Sequence, residues 1–242
     1  MFLTDSAVPS ESILVILPTY NEAENVIGLA RLVLEQDPRI QVLVVDDGSP
    51  DGTAERVEEL RANESRVHLI RRPGKMGLGT AYLAGFRFGL DGNYMSVFTM
   101  DCDFSHNPGY LPEMIEKLKE CDLVVGSRYV PGGGIENWPW YRLLLSRFAN
   151  FYARTLLRLD LHDCTAGFRG YRREVLEGVN PFDVRSSGYS FLEEMAWKVS
   201  SSGFSIAEVP IVFEQRKAGS SKIESREIYL AAWKVLMVAL RR

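Results

Sequence analysis

The sequence predicts an α/β fold: one domain with a mostly parallel mixed sheet flanked by helices. Three observations predict it. Short apolar runs recur along the chain, and each ends in a polar or glycine-rich turn. A segment of helical periodicity follows nearly every turn, the alternation that gives parallel strands joined by right-handed crossovers. The chain has 242 residues, 46% of them hydrophobic and 25% charged, enough to bury one substantial core.

The elements follow in order. Residues 1–12 read as a loose tail, and ILVIL at 13–17 as a buried strand ending at Pro18-Thr19-Tyr20-Asn21. A helical pattern runs over about 22–35. The strand QVLVVD at 41–46 leads through a Gly/Ser/Asp turn to a helix near 53–62. The strand VHLIR at 67–71 leads through a glycine-rich loop to a helix near 79–90. The strand MSVFTM at 95–100 runs into Asp101-Cys102-Asp103 and a helix near 108–120, and DLVVGS at 122–127 is the next strand. After Arg128 the rhythm changes. PGGG at 131–134 and a Trp-Pro-Trp stretch precede a helix near 141–159, and AGFRGYRR at 166–173 is a short element. A helix near 190–202, a strand at 204–213 and a final helix at about 223–240 complete the chain. In that last helix Ile228, Ala231, Ala232, Val235, Leu236 and Ala239 fall at helical spacing. The expected division is a main domain over 13–222 and a C-terminal amphipathic helix over 223–242.

Composition excludes several classes. The net charge of −4 gives no electrostatic support to nucleic-acid binding. Cys102, Cys121 and Cys164 are too scattered for a disulfide framework or a zinc site. No apolar run reaches the length of a membrane span, and the first residues lack a signal pattern, so a reducing cytoplasm is expected. Charge is uneven, however. Residues 138–173 hold seven Arg against two Asp, and residues 214–242 hold seven Lys or Arg against three Glu. A basic second half on an acidic chain points to an anionic ligand or surface there.

In sheets of this kind ligands bind beyond the carboxyl ends of the strands. Four loops at those ends carry polar or glycine-rich signals: 18–22, 46–53, 71–80 and 101–106. Asp101-x-Asp103 alone is weak, since helix capping explains it as well. At a strand end its carboxylates also suit Mg²⁺ or Mn²⁺, which take hard oxygen ligands and accept substrate phosphates. In Asp46-Asp47-Gly48-Ser49-Pro50-Asp51-Gly52-Thr53, turn and cap chemistry accounts for Gly48, Gly52 and Thr53. It leaves one of the two adjacent acids free to accept from a base or ribose. The loop 71–81 resembles a phosphate cradle in composition only. It lacks the P-loop pattern, and no G-x-G-x-x-G follows the first strand, so a surface turn explains it equally. Arg128, Arg216 and Lys222, with Arg142 and Arg147, fit a site that handles phosphates, although each alone is usually a solvated charge.

These residues resemble family 2 glycosyltransferases of the GT-A (Rossmann-like) fold, and more narrowly polyprenol (dolichol) monophosphate mannose synthases. The matching pieces are PTYNE at 18–22, VDDGSPDGT at 45–53, KMGLGTA at 75–81, DCDFSHNP at 101–108, GSRY at 126–129, GGGIENWPWYRLLLSRFAN at 132–150, DCTAGFRGYRREV at 163–175, GYSFLEEM at 188–195 and RKAGSSK at 216–222. They run over nearly the whole chain, and the later ones are the more specific. The resemblance implies an inverting, metal-dependent hexosyltransferase (a β-D-mannosyltransferase) that moves mannose from GDP-mannose to a polyprenyl phosphate, with Mg²⁺ or Mn²⁺ as cofactor. It implies that Pro18, Tyr20, Glu22, Val45 and Asp47 hold the nucleoside, and that Asp101, Cys102 and Asp103 lie at nucleotide and metal. It gives Arg128, Arg216 and Lys222 the donor diphosphate or acceptor phosphate, and Arg142 and Ser146 the acceptor. Asp103 and Arg128 are the expected catalytic residues. Where the family often has Gln as a further metal ligand this chain has Ser105, so Ser105, His106 or water would complete the shell. The mix of Trp, Tyr, Phe and Leu with Arg over 138–152 is the composition of an interfacial helix, and equally of a core helix with exposed Arg. The first reading implies peripheral attachment to the cytoplasmic face of a membrane. A transferase using another donor such as UDP-glucose, a nucleotidyltransferase and a non-catalytic interaction domain are the competing readings. The nucleotidyltransferase would need a basic, glycine-rich loop after the first strand, and residues 18–22 have neither feature.

Overall fold

A computed structural model describes residues 11–186, 188, 190–214 and 225–240, without the side chains of 225–228. Its central sheet has seven strands in the order β3-β2-β1-β4-β7-β5-β8. The strands are β1 (Ile13–Thr19), β2 (Ile40–Asp46), β3 (Val67–Arg71), β4 (Ser96–Thr99), β5 (Leu123–Ser127), β7 (Arg169–Arg172) and β8 (Ile206–Pro210). All neighbours pair in parallel except β7, which runs antiparallel between β4 and β5. A separate parallel pair joins β6 (Gly134–Ile135) to β9 (Val212–Phe213).

Strand alternation sorts the core into two layers. From β1, Leu14 and Ile16 join one buried cluster, while Ile13, Val15 and Leu17 join the other. The second cluster is closed by α1 (Val26–Gln36), α2 (Thr53–Arg61) and α4 (Leu111–Lys117). The first is closed by α3 (Leu78–Asp91), α5 (Trp140–Leu157), α6 (Arg173–Val179), α7 (Ser190–Ser201) and α8 (Ser225–Ala239). The result is a helix–sheet–helix sandwich in which both faces of each central strand are apolar, as the uninterrupted apolar runs require.

Three differences from the sequence reading have local causes. The strand expected over 204–213 divides into β8 and β9 around Ile211, whose amide donates to the Ser127 carbonyl (3.0 Å). Pro210, just before it, has no amide to continue the ladder. Helix α6 spans only seven residues, too short to display a period in sequence, and stops at Asn180 (φ 45°) before Pro181. The helix expected from 108 begins as a 3₁₀ turn, Pro108–Tyr110, capped by Asn107 Oδ1, which accepts from the Gly109 amide at 2.9 Å.

Candidate active site

The carboxyl ends of β1 to β5 open on one edge of the sheet, and the four polar loops, which follow β1, β2, β3 and β4, lie along it. Loops 19–23 and 46–53 brace each other. The Asn21 amide donates to Ser49 Oγ (2.9 Å), the Glu22 amide to Thr53 Oγ1 (3.0 Å) and the Ala23 amide to Asp51 Oδ2 (3.0 Å). Asp46 is buried and accepts from Thr19 Oγ1, the Ser49 amide and Ser49 Oγ. Asp47 is equally engaged: it accepts from Arg72 Nε (2.5 Å), the Met76 amide (3.0 Å) and the Gly77 amide (3.3 Å), and pairs with Arg72 Nη2. Neither acid of the pair is therefore idle, contrary to the sequence reading. The glycine-rich loop directs two of its amides at an internal carboxylate. Gly48 makes this approach possible. It sits at φ 69°, and a Cβ there would lie 3.0 Å from the Gly74 backbone. Lys75 rides over the Tyr20 ring, 5.0 Å from its centroid, so the first and third loops also touch.

After β4 the chain turns sharply through Asp101–His106. Phe104 adopts φ 62°, a left-handed conformation that a bulky side chain seldom takes and that marks functional loops. Asp103 is only 2% exposed and accepts from the Ser105 amide (3.0 Å) and Ser105 Oγ (2.5 Å). The Asp101 amide donates to His106 Nδ1 (3.0 Å), and the His106 ring stacks on Phe168. Burial pushes the His106 imidazole down and outweighs the opposing pull of Asp101 and Asp103, so the ring is neutral. Ser105 thus takes a different place from the ligand position expected of it: fully buried, its hydroxyl braces Asp103. His106 likewise has Nδ1 occupied. Val45 and Cys102 direct their side chains into the core and meet the site edge only through backbone. Pro18 and Glu22 are half-buried at that edge, and Tyr20 is exposed there.

A divalent cation fits this donor set. Two hard carboxylates stand one residue apart at a strand end. Among the described residues no group of three or more His, Cys, Asp or Glu forms a cage. A metal that keeps waters and takes substrate oxygens suits such a site better than one that needs a full protein shell.

Beyond β5 lies a cationic and aromatic corner. Arg128 is buried, its side chain 8% exposed against 0% for Asp163. Nε donates to Asp163 Oδ2 (2.6 Å) and Nη2 to Asp163 Oδ1 (2.7 Å) and Thr165 Oγ1 (2.8 Å). Burial alone would raise the Asp163 carboxyl, but the charge and hydrogen bonds of Arg128 win and hold it below the usual range. Asp163 is itself fixed, because its amide donates to Glu208 Oε1 (3.0 Å). Rings of Tyr129, Trp138 and Phe213 surround the guanidinium, and Arg142 lies over Trp138 at 3.9 Å. Tyr129 donates its hydroxyl to Ser146 Oγ (2.7 Å). Gly133 lets the following loop close on this corner, since a Cβ there would come 2.6 Å from the Ser127 carbonyl. Arg216 and Lys222 lie outside the described residues.

Helix α5 has two faces. Asn150, Ala153 and Leu157 turn inward, with Arg142 and Ser146 in line at the site end. Trp140 (76% exposed), Tyr141, Leu144, Leu145, Phe148 and Phe151 turn outward. On α8, Val235 and Val238 are buried while Tyr229, Leu230 and Trp233 are exposed, as is Leu240 just after it. Tyr152 Oη donates to the Ala232 carbonyl (3.2 Å), so the two helices pack together. Among the described residues no helix is long and apolar enough to cross a membrane.

A polar sheet edge with paired acids and a cationic corner on this α/β architecture fits a glycosyltransferase. The glycosyl transferase family 2 model matches residues 14–179, and the chain belongs to that family. It is 47% identical over 235 residues to the polyprenol monophosphomannose synthase of Mycolicibacterium smegmatis, covering 96% of this chain and 89% of that one. It is 44% identical over 212 residues to the undecaprenyl-phosphate mannosyltransferase of Micrococcus luteus, covering 87% of each. The glucosyl-3-phosphoglycerate synthase of Mycobacterium tuberculosis, solved with Mn²⁺, UDP and phosphoglyceric acid, shares the fold at 17% identity. Its TM-score is 0.68, over 97% of this chain and 79% of that one.

Sequence reasoning missed the buttresses: Arg72 behind Asp47, and Asp163, Thr165 and Glu208 behind Arg128. Their only signal was the D-x-T piece at 163–165, which carried no role.

Proposed function

We propose that this protein transfers mannose from GDP-mannose to a polyprenyl monophosphate, with inversion, at the cytoplasmic face of a membrane to which it binds peripherally. One observation carries the reading: the Asp101/Asp103 loop and the Arg128/Arg142 corner share one sheet edge beside a helix whose outer face is exposed and aromatic. The names of the two mannosyl-transferring relatives support mannose and the lipid phosphate. GDP as carrier follows from the family resemblance.

The nucleoside would lie against Pro18, Tyr20 and Glu22 and the backbone at Val45 and Cys102, with Asp47 and Arg72 fixing the loop beside it. Asp101 and Asp103 would hold Mg²⁺ or Mn²⁺, which when bound neutralises the leaving diphosphate as a Lewis acid. Arg128, Arg142, Arg216 and Lys222 would bind the two phosphate groups, and Ser146 would accept or donate beside them. One acceptor phosphate oxygen attacks the sugar's anomeric carbon as the bond to the donor diphosphate breaks. The acceptor is a monoester with a second pKa of about 6, so it is largely dianionic at neutral pH and needs no strong general base. The buried, neutral His106, with Nδ1 occupied, is consistent with that. The task of the protein is to hold two anions together, which is electrostatic preorganisation by fixed guanidinium groups. The outer faces of α5 and α8 would lie in the lipid interface and present the corner to the headgroup.

The test is transfer of labelled sugar to a short polyprenyl phosphate, with GDP-mannose and UDP-glucose as alternative donors, with and without EDTA. Labelled lipid is expected from GDP-mannose alone and is lost with EDTA. Transfer from UDP-glucose but not GDP-mannose would overturn the donor, and EDTA-resistant transfer the metal.

A further inference from the structure

We propose that Trp138 is a positioning residue whose indole holds Arg128 and Arg142 together as a single two-guanidinium receptor for the acceptor phosphate. The inference rests on the reading of this corner given above and assigns the residue that assembles it.

Both cations address the same ring. The Arg142 Cζ lies 3.9 Å from the Trp138 centroid, within contact distance, and the Arg128 Cζ lies 5.9 Å from it. The two guanidinium carbons are therefore no more than about 10 Å apart. Like charges so placed repel, and two features offset this. Asp163 compensates Arg128 through a bidentate pair. The negative face of the indole attracts Arg142. Arg142 sits in the first turn of α5 on a long, flexible side chain, and the indole face restricts the rotamers open to it. A guanidinium stacked by its face also directs its N–H edge sideways, the orientation in which oxygens of one phosphate can be shared.

The indole is itself held. Phe213 meets it edge-on, with centroids 5.6 Å apart at 78°, and also meets His106 edge-on, at 5.4 Å and 75°. His106 Nδ1 accepts from the Asp101 amide. An unbroken series of contacts thus runs from Arg142 through three rings to the end of β4, and fixes the cationic corner relative to the Asp101/Asp103 loop. Trp138 is half-buried in this series, whereas its neighbour Trp140 faces outward. The two tryptophans of the Trp-Pro-Trp stretch therefore have separate tasks.

The experiment compares W138L, W138F and R142Q in the full chain, using a short-chain polyprenyl phosphate dispersed in detergent so that membrane partition does not enter. W138L is expected to raise the acceptor KM roughly 5- to 30-fold, the range of one cation–π contact, while the donor KM stays within about twofold. W138F keeps a weaker aromatic face and gives an intermediate rise. W138L added to R142Q has less than its full separate effect. If R142Q leaves the acceptor KM unchanged, the acceptor reading of the corner fails, whatever Trp138 does. If R142Q raises it while W138L lowers kcat alone, or raises both KM values equally, the positioning role is overturned. Where W138L does not fold, W138F decides the matter: an acceptor KM equal to that of the unaltered protein overturns the proposal.

Discussion

Replacing Asp163 by Ala removes a carboxylate with no exposure that accepts from the Arg128 amide (3.1 Å), Nε (2.6 Å) and Nη2 (2.7 Å). An exposed ion pair with the same distances would be worth at most about 1 kcal/mol. Here the surviving guanidinium stays buried without its anion, a change that typically costs about 3–5 kcal/mol. For a chain of this size each kcal/mol moves Tm by about 2–4 °C, so Asp163→Ala is expected to melt roughly 6–20 °C lower. Urea unfolding followed by far-UV circular dichroism measures the loss directly, with an unchanged slope expected. Arg128→Met alone leaves a buried carboxylate and is comparably destabilised. The double variant R128M/D163L recovers much of the loss, because an apolar pair replaces an ionic one without leaving an orphan charge. The sign with pH follows from the depressed Asp163 carboxyl. Its contribution is present above the unfolded-state value of about 4 and is lost as pH falls below it. A loss under about 1 kcal/mol for Asp163→Ala, or a double variant as unstable as the two losses added, would refute the view of this pair as a buried, mutually compensating unit.

Three further outcomes are expected. Glu193, on α7, is 5% exposed, its Oε2 has no hydrogen-bond partner among the described residues, and burial pushes its carboxyl up to about 8 against the opposing charge of Arg169. The folded protein then holds a proton that the unfolded chain releases, so stability falls as pH rises from about 4.5 to about 8, by at most about 5 kcal/mol. Glu193→Gln should flatten that slope in denaturant titrations and leave the protein more stable than the original at pH 8; an unchanged slope would show that the carboxyl is ionised throughout. Asp103→Asn is expected to lower transfer roughly 100-fold or more while the circular dichroism spectrum is kept; near-normal turnover with Mg²⁺ or Mn²⁺ would sink the metal role. Replacing Trp140, Phe148 and Trp233 by Ser removes three exposed rings from α5 and α8 and should abolish cosedimentation with anionic liposomes at low salt; retention of binding would place the membrane contact elsewhere.

Most of the fold was legible because its elements announce themselves locally. The apolar runs that became β1, β2, β4 and β5 are bounded by turn residues, and the helices after them carry the 3.6-residue period. The four loops were legible as a site because parallel strands deliver their carboxyl ends to one edge. What the sequence could not show was which polar group meets which. Asp47 seemed available for a ligand because its partner, Arg72, lies 25 residues on, in a loop that resembled a phosphate cradle in composition only. Arg128 read either as a solvated charge or as a phosphate-handling cation because Asp163, which buries and orients it, is 35 residues distant. Spacing rules describe neighbours on one helix or strand and say nothing about such pairs.

The pairing of Arg128 with Asp163 has a topological cause, the single reversed strand of the sheet. Had β7 run parallel to its neighbours, its end and not its start would lie at the ligand edge. Because it is antiparallel, Arg169 at its start pairs with Thr99 on β4 and Val125 on β5, both close to the carboxyl ends of those strands. The residues just before β7 are therefore delivered to the site: Thr99 Oγ1 donates to the Gly167 carbonyl (2.7 Å), the Gly126 amide to the Phe168 carbonyl (2.9 Å), and Asp163 and Thr165 reach Arg128. Arg169 then locks the segment from below, donating to the carbonyls of Cys164, Ala166 and Leu192 while fully buried. The parallel strands supply the acids, and the reversed strand brings in the carboxylate that holds the cation. The expected metal loop and the cationic corner thus stand at the ends of β4 and β5, the two strands that flank β7, which braces both. A substitution that loosened the start of β7 would be felt at both.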